Sequence, residues 1–184
     1  MATDVRIDFG RVGRIGLGEA ILCAGKTPGQ IAAALEQARG EGAAMLLTRL
    51  DEPEFLALDD ALRAAIDYDA ASRTGIFGDW TAPAGDPRAA IVTAGTSDLA
   101  VAGEAARVLA FHGHASRMIA DVGVAGLWRV LSHKQELRGF AVVIVVAGMD
   151  GALFSVLGGL VGGVVIAVPT STGYGAARGG RCAL

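Results

Sequence analysis

Four short segments of this 184-residue sequence combine glycine with hydroxyl or carboxyl side chains, each directly after a run of apolar residues. Glycine lets a backbone approach a ligand closely, hydroxyls donate hydrogen bonds, and a helix N-terminus offers free N–H groups to a phosphate. We therefore expect the segments to bind a phosphate-bearing ligand. The candidate binding residues are Gly95, Thr96, Ser97, Asp98, Asp121, Val122, Gly123, Gly148, Met149, Thr170 and Ser171.

Each segment also has a structural interpretation. Ser97, Asp98 and Asp121 precede predicted helices, and serine and aspartate are common N-cap residues that need no ligand. Lys26 follows a glycine at a predicted strand-to-helix turn, where it is either an anion-binding residue or simply solvated. Both interpretations stay open at this point.

Asp150 is the candidate for proton transfer. It lies between two glycines and two apolar segments, so we expect its carboxylate to be partly removed from water. A carboxyl group in such surroundings suits general acid–base chemistry. The alternative is an aspartate that stabilises the start of a helix through the helix dipole.

Alternating strands and helices in the second half of the chain position these candidates. Strands are predicted at residues 89–93, 116–120, 142–146 and 164–168, with helices at 99–111, 124–137 and 153–160 between them and a further helix after residue 175. This alternation is typical of a parallel sheet covered on both faces, which binds ligands at the carboxyl ends of its strands. The four glycine-containing segments should therefore meet at one sheet edge.

The first half predicts a small α/β unit over residues 1–78, and the turn-rich residues 79–88 predict a linker to a core at 89–184. Thr27 and Pro28 are suited to cap and begin a helix ending near residue 41. Its inward face should carry Ile31, Leu35 and Ala38. A strand at 45–48, one long helix at 53–68 and a strand at 73–77 follow. The long helix should point Phe55, Leu58, Leu62 and Ile66 inward.

Composition excludes several classes of protein. An apolar fraction of 52% with 19% charged residues excludes disorder, and a formal charge of −3 lacks the basic patch of a nucleic-acid-binding protein. Residues 140–168 are long enough to cross a membrane, but Asp150 and six glycines interrupt them. Two cysteines are too few for a disulfide scaffold, and no signal peptide is evident. We expect a cytoplasmic protein with no nucleic-acid or membrane partner.

From residue 19 to its end the chain resembles the LarB family, which catalyses the first step of nickel-pincer nucleotide biosynthesis. The resemblance lies in the strings GKTP at 25–28, TR at 48–49, AGTSDL at 94–99, DVGVAGL at 121–127, AGMDGAL at 147–153 and AVPTS at 167–171. The second half is also similar to the PurE family of aminoimidazole ribonucleotide carboxylases and mutases. A PurE-like three-layer αβα core with a parallel sheet, preceded by the small α/β unit, is the implied fold.

The resemblance implies an enzyme that carboxylates C5 of the pyridinium ring of nicotinic acid adenine dinucleotide. It also hydrolyses the phosphoanhydride, giving pyridinium-3,5-biscarboxylic acid mononucleotide and AMP. Carbon dioxide or bicarbonate is the co-substrate, Mg²⁺ stays open as a cofactor, and a homo-octamer is the implied assembly. In the family a cysteine thiolate adds to C4, which makes the ring electron-rich enough to attack carbon dioxide, and an acidic residue handles the C5 proton.

Two departures from the family pattern bear on this assignment. Asp150 stands where the family has glutamate, and the segment with the nucleophilic cysteine is expected beyond Leu184, so Cys182 is not given that role. On this expectation the core at 89–184 is truncated. Two alternatives remain. One is a PurE-like aminoimidazole ribonucleotide enzyme, although residues 121–123 lack that family's histidine. The other is an inert nucleotide-binding oligomer core.

Overall fold

The computed structural model describes residues 5–184, which form two compact units that meet in sequence between Ala82 and Pro83. The described part of the first unit, residues 5–82, contains four helices and four strands. In chain order they are α1 (Arg11–Ile15), β1 (Ala20–Leu22), α2 (Pro28–Gly40), β2 (Met45–Thr48), α3 (Glu52–Leu56), α4 (Asp60–Ala64), β3 (Ile66–Asp69) and β4 (Thr74–Phe77). The strands form a mixed sheet in the order β1-β2-β4-β3, in which β1 and β2 are parallel and the other pairs antiparallel.

Helix α2 begins as its sequence predicts. The Thr27 hydroxyl accepts a hydrogen bond from the Gln30 N–H, and the Gln30 side chain accepts one from the Thr27 N–H. This capping box satisfies two N–H groups that would otherwise lack a partner at the helix start. The predicted inward residues Ile31, Leu35 and Ala38 are buried against the sheet. The start and the buried face of this helix are therefore confirmed.

The single helix predicted over residues 53–68 is wrong, because the chain forms α3, α4 and β3 there. The Asp59 carboxylate accepts the Leu62 N–H at 2.8 Å and so caps a new helix at the middle of the predicted one. Residues 66–69 instead pair antiparallel with β4. The residues predicted to face inward still do so, because Leu58, Leu62 and Ile66 are buried and Phe55 stacks on Tyr68.

The second unit alternates strands and helices. Its elements are β5 (Ala89–Thr93), α5 (Leu99–Phe111), β6 (Ser116–Ile119), α6 (Leu127–Ser132), α7 (Lys134–Leu137), β7 (Val142–Ala147), α8 (Ala152–Leu160) and β8 (Val164–Pro169). All four strands are parallel, in the order β6-β5-β7-β8. The predicted parallel sheet is confirmed.

The two faces of this sheet carry different helices. Ile91, Ile144 and Val146 pack against α5 on one face. Val143 and Val145 belong to a second buried cluster, to which α6, α7 and α8 contribute. The unit is therefore a three-layer αβα domain, as predicted. No helix in the described residues is long and apolar enough to cross a membrane.

Two predicted helices of this unit are irregular. The helix expected at 124–137 is a 3₁₀ turn (Val124–Gly126) followed by α6 and α7, which are separated at His133. There the Ser132 hydroxyl bonds back to the carbonyl of Arg129, a contact that competes with regular helix geometry. The helix expected after residue 175 is replaced by two 3₁₀ turns within Gly175–Ala183. They are separated by Arg178, Gly179 and Gly180, whose backbone angles are not helical, and both glycines are left-handed.

Candidate functional site

One cavity of the second unit lies where the chain reverses its direction across the sheet. The chain passes from β5 outward to β6 and then returns to form β7 on the other side of β5. Parallel sheets bind ligands at such a reversal, outside the carboxyl ends of the strands. A cavity of about 290 Å³ occupies this position. Its walls come from residues at or after the ends of all four strands, namely residues 94, 95, 97, 98, 123–125, 129, 147–150, 152, 153 and 172.

The structure brings most of the predicted site residues into this cavity. Those that line it are Gly95, Ser97, Asp98, Gly123, Gly148, Met149 and Asp150. Predicted residues in the same loops that do not line it are Thr96, Asp121, Val122, Thr170 and Ser171. Lys26 is in the first unit, where it lines a separate groove together with Arg6, Glu19 and Gln30.

Ser97 offers the cavity a free hydroxyl. Residues 96–98 form a 3₁₀ turn that leads into α5, and neither helix start has a side-chain cap from Ser97. Ser97 is exposed and lines the cavity. The N-cap interpretation of this residue is therefore not realised, which leaves its hydroxyl available to a ligand.

The carboxylate of Asp98 accepts hydrogen bonds from other groups of the protein. Its side chain is 3% exposed, and its Oδ2 accepts the Gly95 N–H at 3.0 Å. Its Oδ1 accepts the Thr170 hydroxyl at 2.7 Å. Since both carboxylate oxygens have protein donors, Asp98 ties the loop after β5 to the end of β8.

The loop after β7 is held equally closely against the loop after β8. The Met149 N–H donates to the Thr172 carbonyl at 2.7 Å, and Met149 has a left-handed φ of 51°. A Cβ on Gly148 would lie 2.2 Å from the Thr172 carbonyl oxygen. Glycine is therefore required at 148 for the two loops to approach each other, and their contact shapes one wall of the cavity.

Asp150 lines the cavity as an exposed carboxylate. The expectation that it is partly removed from water is wrong, because Asp150 is exposed in the structure. Its Oδ1 accepts the Ala152 N–H at 3.4 Å, a long contact at the helix start. Asp150 thus combines the two predicted positions: it stands at the start of a helix and at the edge of the cavity.

Arg129 is a cavity residue that the sequence patterns did not single out. Its Nη1 donates to Asp121 Oδ2 at 2.8 Å. Asp121 has a left-handed φ of 57°, and its N–H donates to the hydroxyl of buried Thr93. The sequence signal that could have identified Arg129 is a basic residue in the first turn of a helix that follows a strand. The sequence predicted that helix to begin at residue 124, whereas α6 begins at Leu127 after a 3₁₀ turn, so Arg129 was not assigned to its first turn.

The two cysteines differ in accessibility. Cys182 is exposed, its thiol donates to the Ala176 carbonyl at 3.3 Å, and it does not line the cavity. Cys23 is 1% exposed in the core of the first unit, where burial raises its thiol pKa to about 12. Within residues 5–184 no group of three His, Cys, Asp or Glu side chains is arranged to hold a metal ion.

Comparison with known proteins identifies the first unit. Residues 2–79 match the family described as the LarB/PurE-like N-terminal domain, which confirms the resemblance to the LarB family. A similar protein is the uncharacterized protein MJ0165 of Methanocaldococcus jannaschii, which is 46% identical over 87 residues. That match covers 46% of this chain and 34% of the relative, so it spans about a third of the relative's length.

Proposed function

We propose that this chain, whose first unit is a LarB/PurE-like N-terminal domain, is a LarB-type enzyme. Its substrate is nicotinic acid adenine dinucleotide. It carboxylates C5 of the pyridinium ring with carbon dioxide or bicarbonate and hydrolyses the phosphoanhydride with water. The products are pyridinium-3,5-biscarboxylic acid mononucleotide and AMP.

One observation carries this proposal: the cavity at the β5–β7 reversal contains a matched set of polar groups. A free serine hydroxyl, an arginine and an exposed carboxylate line it together, from Ser97, Arg129 and Asp150. The hydroxyl and the guanidinium suit the anionic groups of a nucleotide, and the carboxylate suits proton transfer to or from the ring. The glycine-rich loops leave room for the ligand beside them.

The proposed role of Asp150 follows from the proton balance of the carboxylation. A new bond forms between C5 and the carbon of carbon dioxide, and the hydrogen on C5 must then leave as a proton. The Asp150 carboxylate accepts that proton, and the thiolate that activated the ring at C4 departs as the aromatic system is restored. The resemblance implies that the thiolate belongs to a cysteine in a segment beyond residue 184.

The alternative substrate, aminoimidazole ribonucleotide, is disfavoured by the loop after β6. The PurE family has a serine, an alanine and a proton-transferring histidine in that loop, whereas this chain has Asp121, Val122 and Gly123. Val122 is buried, and the Asp121 side chain is paired with Arg129. This loop therefore offers an imidazole substrate no equivalent acid–base group.

Calorimetric titration with the two nucleotides tests the substrate assignment. We expect the full-length natural protein to bind nicotinic acid adenine dinucleotide and not aminoimidazole ribonucleotide. Chromatography of the reaction with bicarbonate should then show AMP released together with the biscarboxylated mononucleotide. Binding of the imidazole nucleotide alone would contradict the proposal, and AMP release without carboxylation would reduce it to a hydrolase.

A further inference from the structure

The cavity contains a guanidinium that is held in place before any ligand arrives. Arg129 is the cationic residue among those that line the cavity, and its side chain is 31% exposed. Within residues 5–184 its guanidinium has one hydrogen-bond partner, Asp121, to which its Nη1 donates. The other N–H donors of the guanidinium are left for solvent or a ligand.

Asp121 is itself fixed by the sheet. Its N–H donates to the Thr93 hydroxyl at 3.0 Å, and Thr93 is fully buried at the end of β5. The next residue, Val122, is buried, and its N–H donates to the Thr93 carbonyl. The backbone of the residue that orients Arg129 is therefore anchored at the carboxyl edge of the sheet, where the ligand is expected.

Gly126 supplies the space that the guanidinium occupies. A Cβ at this position would lie 2.6 Å from Arg129 Nε and 3.1 Å from Nη2. Gly126 has a φ of −114°, which any residue can adopt, so its backbone conformation does not require glycine. Glycine is favoured at position 126 because the guanidinium of Arg129 lies where a Cβ would be, and not because of the backbone conformation.

We infer that Arg129 is the anion-binding residue of this cavity, that Asp121 and Gly126 position it, and that it binds an oxyanion group of the nucleotide. The assignment of the group to a nucleotide rests on the proposed function. Two groups of the proposed substrate share this chemistry, its phosphate and its pyridine carboxylate. Arginine suits both, because its planar set of donors can pair with two oxygens at once.

Calorimetric titration of Arg129→Gln tests this inference. Nicotinic acid mononucleotide carries both anionic groups, nicotinamide mononucleotide carries the phosphate alone, and nicotinic acid riboside carries the carboxylate alone. We expect Arg129→Gln to weaken the first ligand about 10- to 100-fold. If Arg129 binds the phosphate, the affinity for nicotinic acid riboside should not change. If Arg129 binds the carboxylate, the affinity for nicotinamide mononucleotide should not change. The matched control is Arg138→Gln, an arginine of the same unit that does not line the cavity.

Two further variants separate positioning from general damage to the fold. Gly126→Ala keeps the arginine but moves its flexible end, so it should lower the affinity for the anionic ligand with little change in melting temperature. Asp121→Asn should weaken binding in the native background and have no further effect in Arg129→Gln, because Asp121 acts through Arg129. An equal loss from Asp121→Asn in both backgrounds would show that Asp121 has only a structural role.

The inference can fail separately from the proposed function. Equal affinity of the native protein and Arg129→Gln for all three ligands, or an equal loss for all three, would overturn it. If the native protein binds no pyridine ligand, the proposed function fails, and inorganic phosphate becomes the probe. Phosphate binding that disappears in Arg129→Gln but not in Arg138→Gln would then support the inference. Phosphate binding that is unchanged in Arg129→Gln would contradict it, and so would a native protein that binds no phosphate.

Discussion

The Thr170 hydroxyl donates to Asp98 Oδ1 at 2.7 Å across 72 residues of sequence, and both side chains are buried. This bond joins the loop after β5 to the end of β8, and these strands are separated in the sheet by β7. It therefore spans the carboxyl edge on which the cavity is built. A charged acceptor in a buried position gains more from such a donor than an exposed one does.

Removal of the Thr170 hydroxyl should destabilise the second unit. Thr170→Val keeps the shape of the side chain but leaves a buried Asp98 oxygen without its donor, which typically costs about 1–3 kcal/mol of unfolding free energy. Urea unfolding followed by fluorescence measures this loss. The control is Ser171→Ala at the exposed neighbouring position, where we expect a change within about 0.5 kcal/mol. Equal stability of the two variants would show that the buried bond contributes nothing.

An alanine at position 148 should disturb the cavity wall. Its Cβ would lie 2.2 Å from the backbone oxygen of Thr172, so the two loops would have to separate. Such overpacking typically costs about 1–3 kcal/mol. Gly159→Ala in α8 is the matched control, because a Cβ there meets nothing within 4 Å and alanine favours helix. We expect thermal melting to show a lower midpoint for Gly148→Ala and an unchanged or higher one for Gly159→Ala.

Cys23 should make stability depend on alkaline pH. Burial raises its thiol pKa from 9.0 to about 12, while Lys26 lowers this pKa and Glu54 raises it by smaller amounts. The folded chain therefore keeps this proton while the unfolded chain loses it, so the contribution is complete below pH 9 and declines as the pH rises towards 12. The slope from one proton is at most about 1.4 kcal/mol per pH unit. Denaturation of the native protein and Cys23→Ala between pH 8 and about pH 11 should show the steeper decline in the native protein, and parallel curves would refute the assignment.

The hydroxyl of Ser97 should contribute to nucleotide affinity. It makes no capping bond and lines the cavity, so Ser97→Ala removes a donor that only a ligand uses. A hydrogen bond to a charged group is worth about 1.5–3 kcal/mol, which corresponds to roughly 10- to 100-fold in affinity. Calorimetry measures the affinity and thermal melting measures the stability. A lower melting temperature with unchanged affinity would return Ser97 to a structural role.

Regular elements were predictable where local signals agreed. Helix α2 has a capping threonine, a proline at its first position and an apolar face of clear period, and its start and core face follow from these alone. The predicted helix over 53–68 failed because apolar spacing continues unchanged through a capping aspartate, Asp59, and into a strand. Periodicity reported which side chains face inward but not where one element ends.

The location of the candidate site could be predicted from the sequence, but the hydrogen bonds within the site could not. The loops that follow parallel strands meet at one edge, so the segments at 94–98 and 147–151 could be assigned to one site. The bond from Thr170 to Asp98 joins residues far apart in sequence, and no local pattern contains it. The exposure of Asp150 likewise depends on how the chain turns before α8, which flanking apolar residues do not determine.

The most direct test of the central claim is the carboxylation activity of Asp150→Asn, compared with the native residue in the full-length natural protein. The activity is measured as labelled bicarbonate incorporated into nicotinic acid adenine dinucleotide. The amide keeps the size of the side chain but cannot accept a proton, so we predict a loss of about 10²–10⁴-fold or more with little change in nucleotide affinity. Asp150→Glu, the residue found in the LarB family, should preserve activity, and Asp86→Asn, an exposed site away from the cavity, should be neutral. Near-native incorporation by Asp150→Asn would remove Asp150 from the mechanism and contradict the account.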